Sequence, residues 1–447
     1  MSSKVRTKLK VGFGRTDITP LEPCHMGGLG DTDGSRMSRR ILEPLYCTTV
    51  AITDENNETV LFLTTDLCQI IHMDGVKEPI SAATGVPMDH IYVSATHTHN
   101  APAIRLRTME QSIRYEGYAV AQFAVSAAIA MIDRKPAHME IAAVDAPHMT
   151  FCRRYMNTDG GLYNSTIKEM TMLGPEEEPD TQLQVLKFVR EGGKDILLTN
   201  FQGHYHGEST SKELYECVTP NFVGIYRDAM EEQTGCLVAY FSGAGGNLAV
   251  YTIYDKPYNT PGGYRGHGKK LAEYGMQAVK DLRYIEGGPI QKAEKTYVGL
   301  TAEKEPDLYP IARKVCDRYE ETSSKEEAMK LAEGYPIRSI HHAGAICRNM
   351  TLEDTFEVEL KAVSIGDLAI VTAPCEMYSA IGENVKKNSP FKATLVFQLT
   401  DGSIGYIPTD IAFEHGGYEP STTRFRKGIA GGYEQTFAEL LDELKNR

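Results

Sequence analysis

Thirteen histidines are present in the chain, and four of them form two His-x-His pairs. His97 and His99 lie in VSATHTHNAP (93–102), and His204 and His206 lie in NFQGHYHGES (200–209). Each pair closes an apolar run. On a strand, residues i and i+2 point to the same face, so each pair is expected to turn two imidazoles the same way at a strand end. Neutral imidazole is a common metal ligand. Zinc in a catalytic centre takes three protein ligands and keeps one position for water. A single His-x-His also fits an ordinary buried turn, but two in one chain favour a metal. Such a centre needs a carboxylate or another oxygen donor, and spacing singles out none of the 60 acidic residues.

Other chemistries lack their signatures. There is no G-x-S-x-G for a hydrolase serine, and neither H-E-x-x-H nor a phosphate-binding G-x-x-x-x-G-K-[ST] occurs. GFGRTD (12–17) and SGAGGNL (242–248) do not complete a dinucleotide fingerprint and read as tight turns where backbone passes close to something. Asn247, at the end of the second, is placed to orient a neighbour.

Positioning two histidine pairs requires strands that end at one place. Strands are expected at 45–52, 59–67, 90–96, 183–189, 195–201, 236–242, 356–365, 368–374 and 394–399. Helices are expected at 111–133, 219–234, 267–283, 307–334 (broken) and 433–446. The pattern is α/β, a mixed β-sheet core with flanking helices. No repeat or linker divides it, so residues 1–447 read as one domain. Within it, 285–352 reads as a charged helical insertion, either a solvated surface element or a lid over a site.

Composition narrows the partners. Hydrophobic residues make up 41% and charged residues 24% of the chain, ordinary for a globular protein. The net charge of −13 argues against nucleic acid and against an anionic membrane surface. Nine cysteines are scattered singly with no C-x-x-C, which reads as reduced thiols in a cytoplasmic protein. The N-terminus has no apolar segment of the signal-peptide kind. The apolar run 118–132 is short for a bilayer, contains Gln122 and Ser126, and reads as a buried helix, so no transmembrane segment is expected.

A resemblance extends this reading. VSATHTHNAP resembles the A-T-H-T-H-S-G-P signature of the neutral/alkaline (non-lysosomal) ceramidase family. Other segments follow in the family's order: VGFGRTDITP (11–20), EPLYCTTVAI (43–52), VLFLTTDL (60–67), CRRY (152–155), NFQGHYHG (200–207), YFSGAGGNL (240–248), TAPCEMYSAIG (372–382) and GYIPTDIAFEHGGYEPSTTRF (405–425). The first motif is specific, and the later ones are loose but correctly ordered across nearly the whole chain. The resemblance implies a neutral-ceramidase-like catalytic domain with one zinc ion per chain, held by His97, His204, Glu376 and Tyr406. It implies that His99 works on the substrate instead of ligating, and that Arg153 and Tyr418 stabilise charge on a lipid-amide or other small-molecule substrate. His206 has no counterpart, which points to a structural role.

The chain also departs from the family. The immunoglobulin-like C-terminal domain is expected to be absent, S-G-P is replaced by Asn100-Ala101-Pro102, and no strongly apolar groove is evident. The leading expectation is a zinc-dependent amide hydrolase. One rival is a cytosolic metalloenzyme acting on a small polar, sugar-like substrate, and another is a non-catalytic binding protein that keeps the fold.

Overall fold

The computed structural model describes residues 9–28, 36–70, 73, 75–104, 110–158, 162–164 (backbone), 172–204, 211, 213–252, 256 and 259–447. Two sheets carry the molecule. The larger has nine strands, in the order Leu237–Ser242, Ile196–Phe201, Gln182–Arg190, Lys135–Asp145, Leu9–Asp17, Tyr46–Thr53, Thr59–Thr65 and Ile91–Ala95, with Arg283–Ile285 also paired to Lys135–Asp145. Its two edge pairings are parallel and the inner ones antiparallel. The smaller sheet has four strands, Ile290–Leu300, Thr355–Ile365, Leu368–Thr372 and Ala393–Phe397.

The sheets face each other across a core that includes Phe62, Phe188 and Phe241 from the large sheet and Val363, Ile370 and Phe397 from the small one. Phe397 stacks on Phe241 at 4.3 Å and meets Phe62 edge-on at 5.9 Å. Helices cover the outer faces. Glu110–Ile132, Asn221–Thr234 and Gly263–Lys280 lie on the large sheet, and Ser379–Lys387 and Ile429–Asn446 lie on the small one. The layers are therefore helix, sheet, sheet, helix, each element burying one apolar face. This is the mixed α/β architecture the sequence predicts.

Three expectations change. GFGRTD is not a turn but part of the strand Leu9–Asp17. Its glycines do allow a close approach: a Cβ at Gly12 would lie 2.0 Å from the Ala130 carbonyl oxygen, and one at Gly14 would lie 1.9 Å from that of Ser126. The long helix thus rests directly on the strand backbone. That helix, Glu110–Ile132, extends past the apolar run and by length and composition alone would be long enough to cross a membrane. One side packs into the core through Tyr115, Ala119, Phe123 and Ala127, while Ile113, Val125, Ile129 and Ile132 are exposed. Finally, the segment from 285 begins as strand Ile290–Leu300, and helices occupy Tyr309–Thr322, Lys325–Lys330 and Ile340–Asn349. Those helices close on a small cluster of their own that includes Val315, Tyr319 and Ile346.

Candidate metal centre

The strand Ile91–Ala95 stops two residues before His97. His97 takes a left-handed backbone conformation, φ 67°, and its N–H donates to the Leu67 carbonyl at 3.0 Å. The two histidines therefore do not share a strand face, because a left-handed residue turns the chain between them. A non-glycine residue held this way costs about 1–3 kcal/mol and is a feature that clusters at functional sites. The turn nevertheless brings His97 and His99 together, with their Nε2 atoms 3.2 Å apart and their rings nearly perpendicular.

His204 follows the strand Ile196–Phe201 and is fully buried. Its Nε2 lies 3.1 Å from that of His97. Glu376 arrives from the small sheet's side, on a two-residue strand, Glu376–Met377, paired in parallel with Tyr406–Ile407, so that Glu376 and Tyr406 stand side by side. Its Oε2 is 3.2 Å from His97 Nε2 and 4.0 Å from His204 Nδ1. The glycine-rich loop after Ser242 passes tightly here. A Cβ at Gly246 would lie 2.5 Å from the Glu376 carbonyl oxygen.

His97, His204 and Glu376 form one group able to hold a metal ion, and Cys68, His97 and His99 form a second that shares His97. The fit can be tested on the donors. Glu376 Oε2 is buried and makes no hydrogen bond among the described residues. His97 Nδ1 lies 2.7 Å from the Cys68 carbonyl oxygen. Donation there places the proton on Nδ1 and leaves a lone pair on Nε2, as a ligating histidine requires. Tetrahedral zinc with bonds of about 2.0–2.1 Å separates its ligand atoms by about 3.3 Å, close to the 3.1 and 3.2 Å spacings found. Burial opposes a charge on His97, but Glu376 and Cys68 outweigh it and raise the ring's pKa well above its ordinary value. The centre is electrostatically prepared for a cation, and its residues fit a divalent metal.

Arg153 reaches the centre from the other side. Its Nη1 is 3.1 Å from His204 Nδ1, and its guanidinium lies 5.5 Å from the centre of the Tyr406 ring. Its Nε donates to Glu419 Oε1 at 2.8 Å, and Arg154 Nη1 donates to Glu419 Oε2 at 2.8 Å. Arg154 also grips Glu176, and Glu176 accepts from His415 Nδ1 at 2.8 Å. The result is a buried ladder of alternating charge behind the ligands. Asn247 orients it, as its position suggested: its carbonyl accepts from Arg153 N, and its Oδ1 accepts from Ser379 N. Tyr418 lies further out, 37% exposed, with its ring edge-on to Tyr406 at 5.8 Å.

The structure thus gathers His97, His99, His204, Glu376, Arg153 and Tyr406 at one place, with Tyr418 against Tyr406 on its outer side. His206 lies outside the described residues. Sequence reasoning missed Cys68, Arg154, Glu176 and Glu419. The adjacent arginines of CRRY and the Glu after Tyr418 were the available signals, since buried arginines need buried acids.

With sheets, helices and ligand positions in place, the fold is neutral-ceramidase-like. It superposes on the crystal structure of neutral ceramidase from Pseudomonas aeruginosa with a TM-score of 0.72 at 15% sequence identity, covering 98% of this chain and 75% of that one. A ceramidase complexed with C2 gives a TM-score of 0.70 at 14% identity, covering 98% and 76%. No protein-family profile matches the sequence, and no curated protein matches it at a significant level.

Proposed function

We propose that the protein hydrolyses an N-acyl amide bond with one zinc ion per chain, held by His97, His204, Glu376 and Tyr406. The observation that carries this reading is the bare Glu376 Oε2 set among imidazole nitrogens. Zinc in such a centre supplies Lewis acidity that polarises a carbonyl and lets water ionise near neutral pH.

The chain's own residues do the rest. His99, 5% exposed with its Nε2 beside that of His97, moves the proton between water and the leaving amine. Arg153 and Tyr418 donate to the oxygen that gains charge when water attacks the amide carbon. Burial of the centre strengthens each of these interactions by excluding bulk water. Glu419 and Arg154 touch no substrate; they hold Arg153 in place.

The ceramidase likeness supports a lipid amide as substrate. The cavity at Tyr418, of mixed lining with His341 and Arg348 among apolar side chains, supports a smaller amide that carries a polar group. The scattered cysteines support a reducing, cytoplasmic location, which thiol titration of the denatured, unreduced protein tests: most of the nine should react. The hydrolase reading is tested by supplying short-chain ceramide and short N-acyl amides to protein purified without chelator. Amine release that chelation abolishes and zinc restores is the expected result. Release unaffected by chelation, or no release from any amide, contradicts the reading.

A further inference from the structure

Beside Tyr418 opens a cavity of about 400 Å³, lined among others by Tyr319, His341, Arg348 and Thr422. Tyr418, in its wall, meets His341 of the helical segment 309–349 on one side at 5.9 Å and Tyr406 of the metal centre on the other at 5.8 Å.

Arg348 is unusual in this wall. Its Nη2 donates to Asn349 Oδ1 and to the Thr422 and Thr423 carbonyls, at 2.8, 3.0 and 2.9 Å. Its Nε donates to Asn349 Oδ1 at 3.1 Å. All these acceptors are neutral, and Nη1 makes no hydrogen bond with the described residues. Glu320, also on the cavity, is exposed and forms no ion pair with it. A second arginine, Arg424, lies near enough for its charge to press on Arg348 and has no acidic partner among the described residues either. It rests against the Phe356 ring, 5.7 Å from its centre. Burial, and then Arg424, push the Arg348 pKa down to about 10. Three other buried arginines are paired with acids: Arg153 and Arg154 with Glu419, and Arg227 with Asp66.

We infer that Arg348, backed by Arg424, binds an anionic group of the substrate, so that the amide this protein takes carries a carboxylate or a chemically similar anion one cavity's length from the scissile bond. The geometry suits it. Four bonds to three carbonyl and amide oxygens fix the plane of the guanidinium and leave Nη1 to make a charge-assisted hydrogen bond to an oxyanion. Two half-buried arginines without an acid are costly unless an anion arrives. The inference rests on the hydrolase reading for which bond is cut, and not for the binding itself.

Three amides test it on the metal-loaded protein: N-hexanoylglycine, with the charge on the amine side; N-methyladipamic acid, with the charge on the acyl side; and neutral N-hexanoylethanolamine. Kd is measured by equilibrium dialysis and kcat/KM from amine release. At least one carboxylated amide should be favoured over the neutral one by about tenfold or more. The preference should fall to about twofold or less in Arg348→Gln, and Arg348→Lys should retain part of it. Because Arg348 also holds the Thr422 and Thr423 carbonyls, Arg424→Gln serves as a second variant and should cut the preference severalfold. Equal handling of all three amides, binding of none, or a preference that survives both glutamine variants overturns the inference. Preferential binding without cleavage leaves the anion site standing and refutes the hydrolase reading; cleavage without preference does the reverse.

Discussion

The metal centre and the cavity beside it treat charge in opposite ways. Behind the ligands, Arg153, Glu419, Arg154 and Glu176 alternate within hydrogen-bond distance, so the positive charges are balanced by the chain itself. Among the described residues, Glu376 Oε2 is the carboxylate oxygen at the centre left without a hydrogen bond, and it faces imidazole nitrogens; Arg153 Nη2 is likewise buried and unbonded. In the cavity wall Arg348 bonds only neutral acceptors, and Arg424 near it rests against an aromatic ring. One region is short of a cation and the other of an anion. Buried charge is expensive unless paired, so each shortfall indicates what kind of ligand is missing there: a metal in the first, an acidic substrate group in the second.

The comparison breaks most visibly if the ladder is cut. Glu419→Ala would strand the buried Arg153, leave Arg154 with Glu176 alone, and should cost about 3–5 kcal/mol in urea unfolding. A loss under about 1 kcal/mol would mean that the ladder is not what holds Arg153. Next in size is metal removal. Zinc at about a thousandfold above its Kd adds about 4 kcal/mol to the folded state. Chelation should therefore lower the Tm of the wild type and leave that of His97→Ala unmoved; a wild-type Tm indifferent to chelation argues against a bound ion.

A smaller effect sharpens the charge balance. Glu177 adjoins the ladder as a further acid, and burial, then Glu176, raise its pKa to about 7. Between pH 4.5 and 7 the folded state keeps a proton that the unfolded chain releases, so this group's contribution to stability is present below 4.5 and lost as pH rises through 7. Glu177→Gln should match the wild type near pH 4.5 and exceed it by roughly 1–2 kcal/mol at pH 8, after allowance for partial exposure. Unfolding curves at the two pH values check this, and a variant less stable than wild type at pH 8 would reverse the sign.

Much of the frame was legible because its strands are apolar runs buried on both faces. Thr59–Thr65, Ile196–Phe201 and Leu368–Thr372 show this plainly. Ile290–Leu300 was not legible. It is an edge strand carrying Lys292, Glu294 and Lys295, and charge on an edge blocks unwanted pairing, yet in sequence the same residues suggest a solvated helix. Lys135–Asp145 hid for another reason: Pro136 and three alanines weaken its alternation. In the centre, His97 and His99 were recognisable from residue type and spacing, but their geometry was not, because a left-handed turn cannot be read from a strand pattern. Arg348 was invisible for a different cause. An arginine on a charged helix normally pairs with an acid, and only packing reveals that this one forms no ion pair among the described residues.

The central claim is that His97, His204 and Glu376 bind a metal while His99 works beside it. The most direct test is the metal content of four proteins purified without chelator, read alongside turnover. The account predicts about one zinc per chain in the wild type and in His99→Ala, and almost none in His97→Ala or Glu376→Gln. In His99→Ala the loss should fall on turnover instead, by about a hundredfold to ten-thousandfold. Wild-type protein free of transition metal, or His97→Ala that keeps its zinc, would contradict the account; a His99→Ala that loses its zinc would make His99 a ligand.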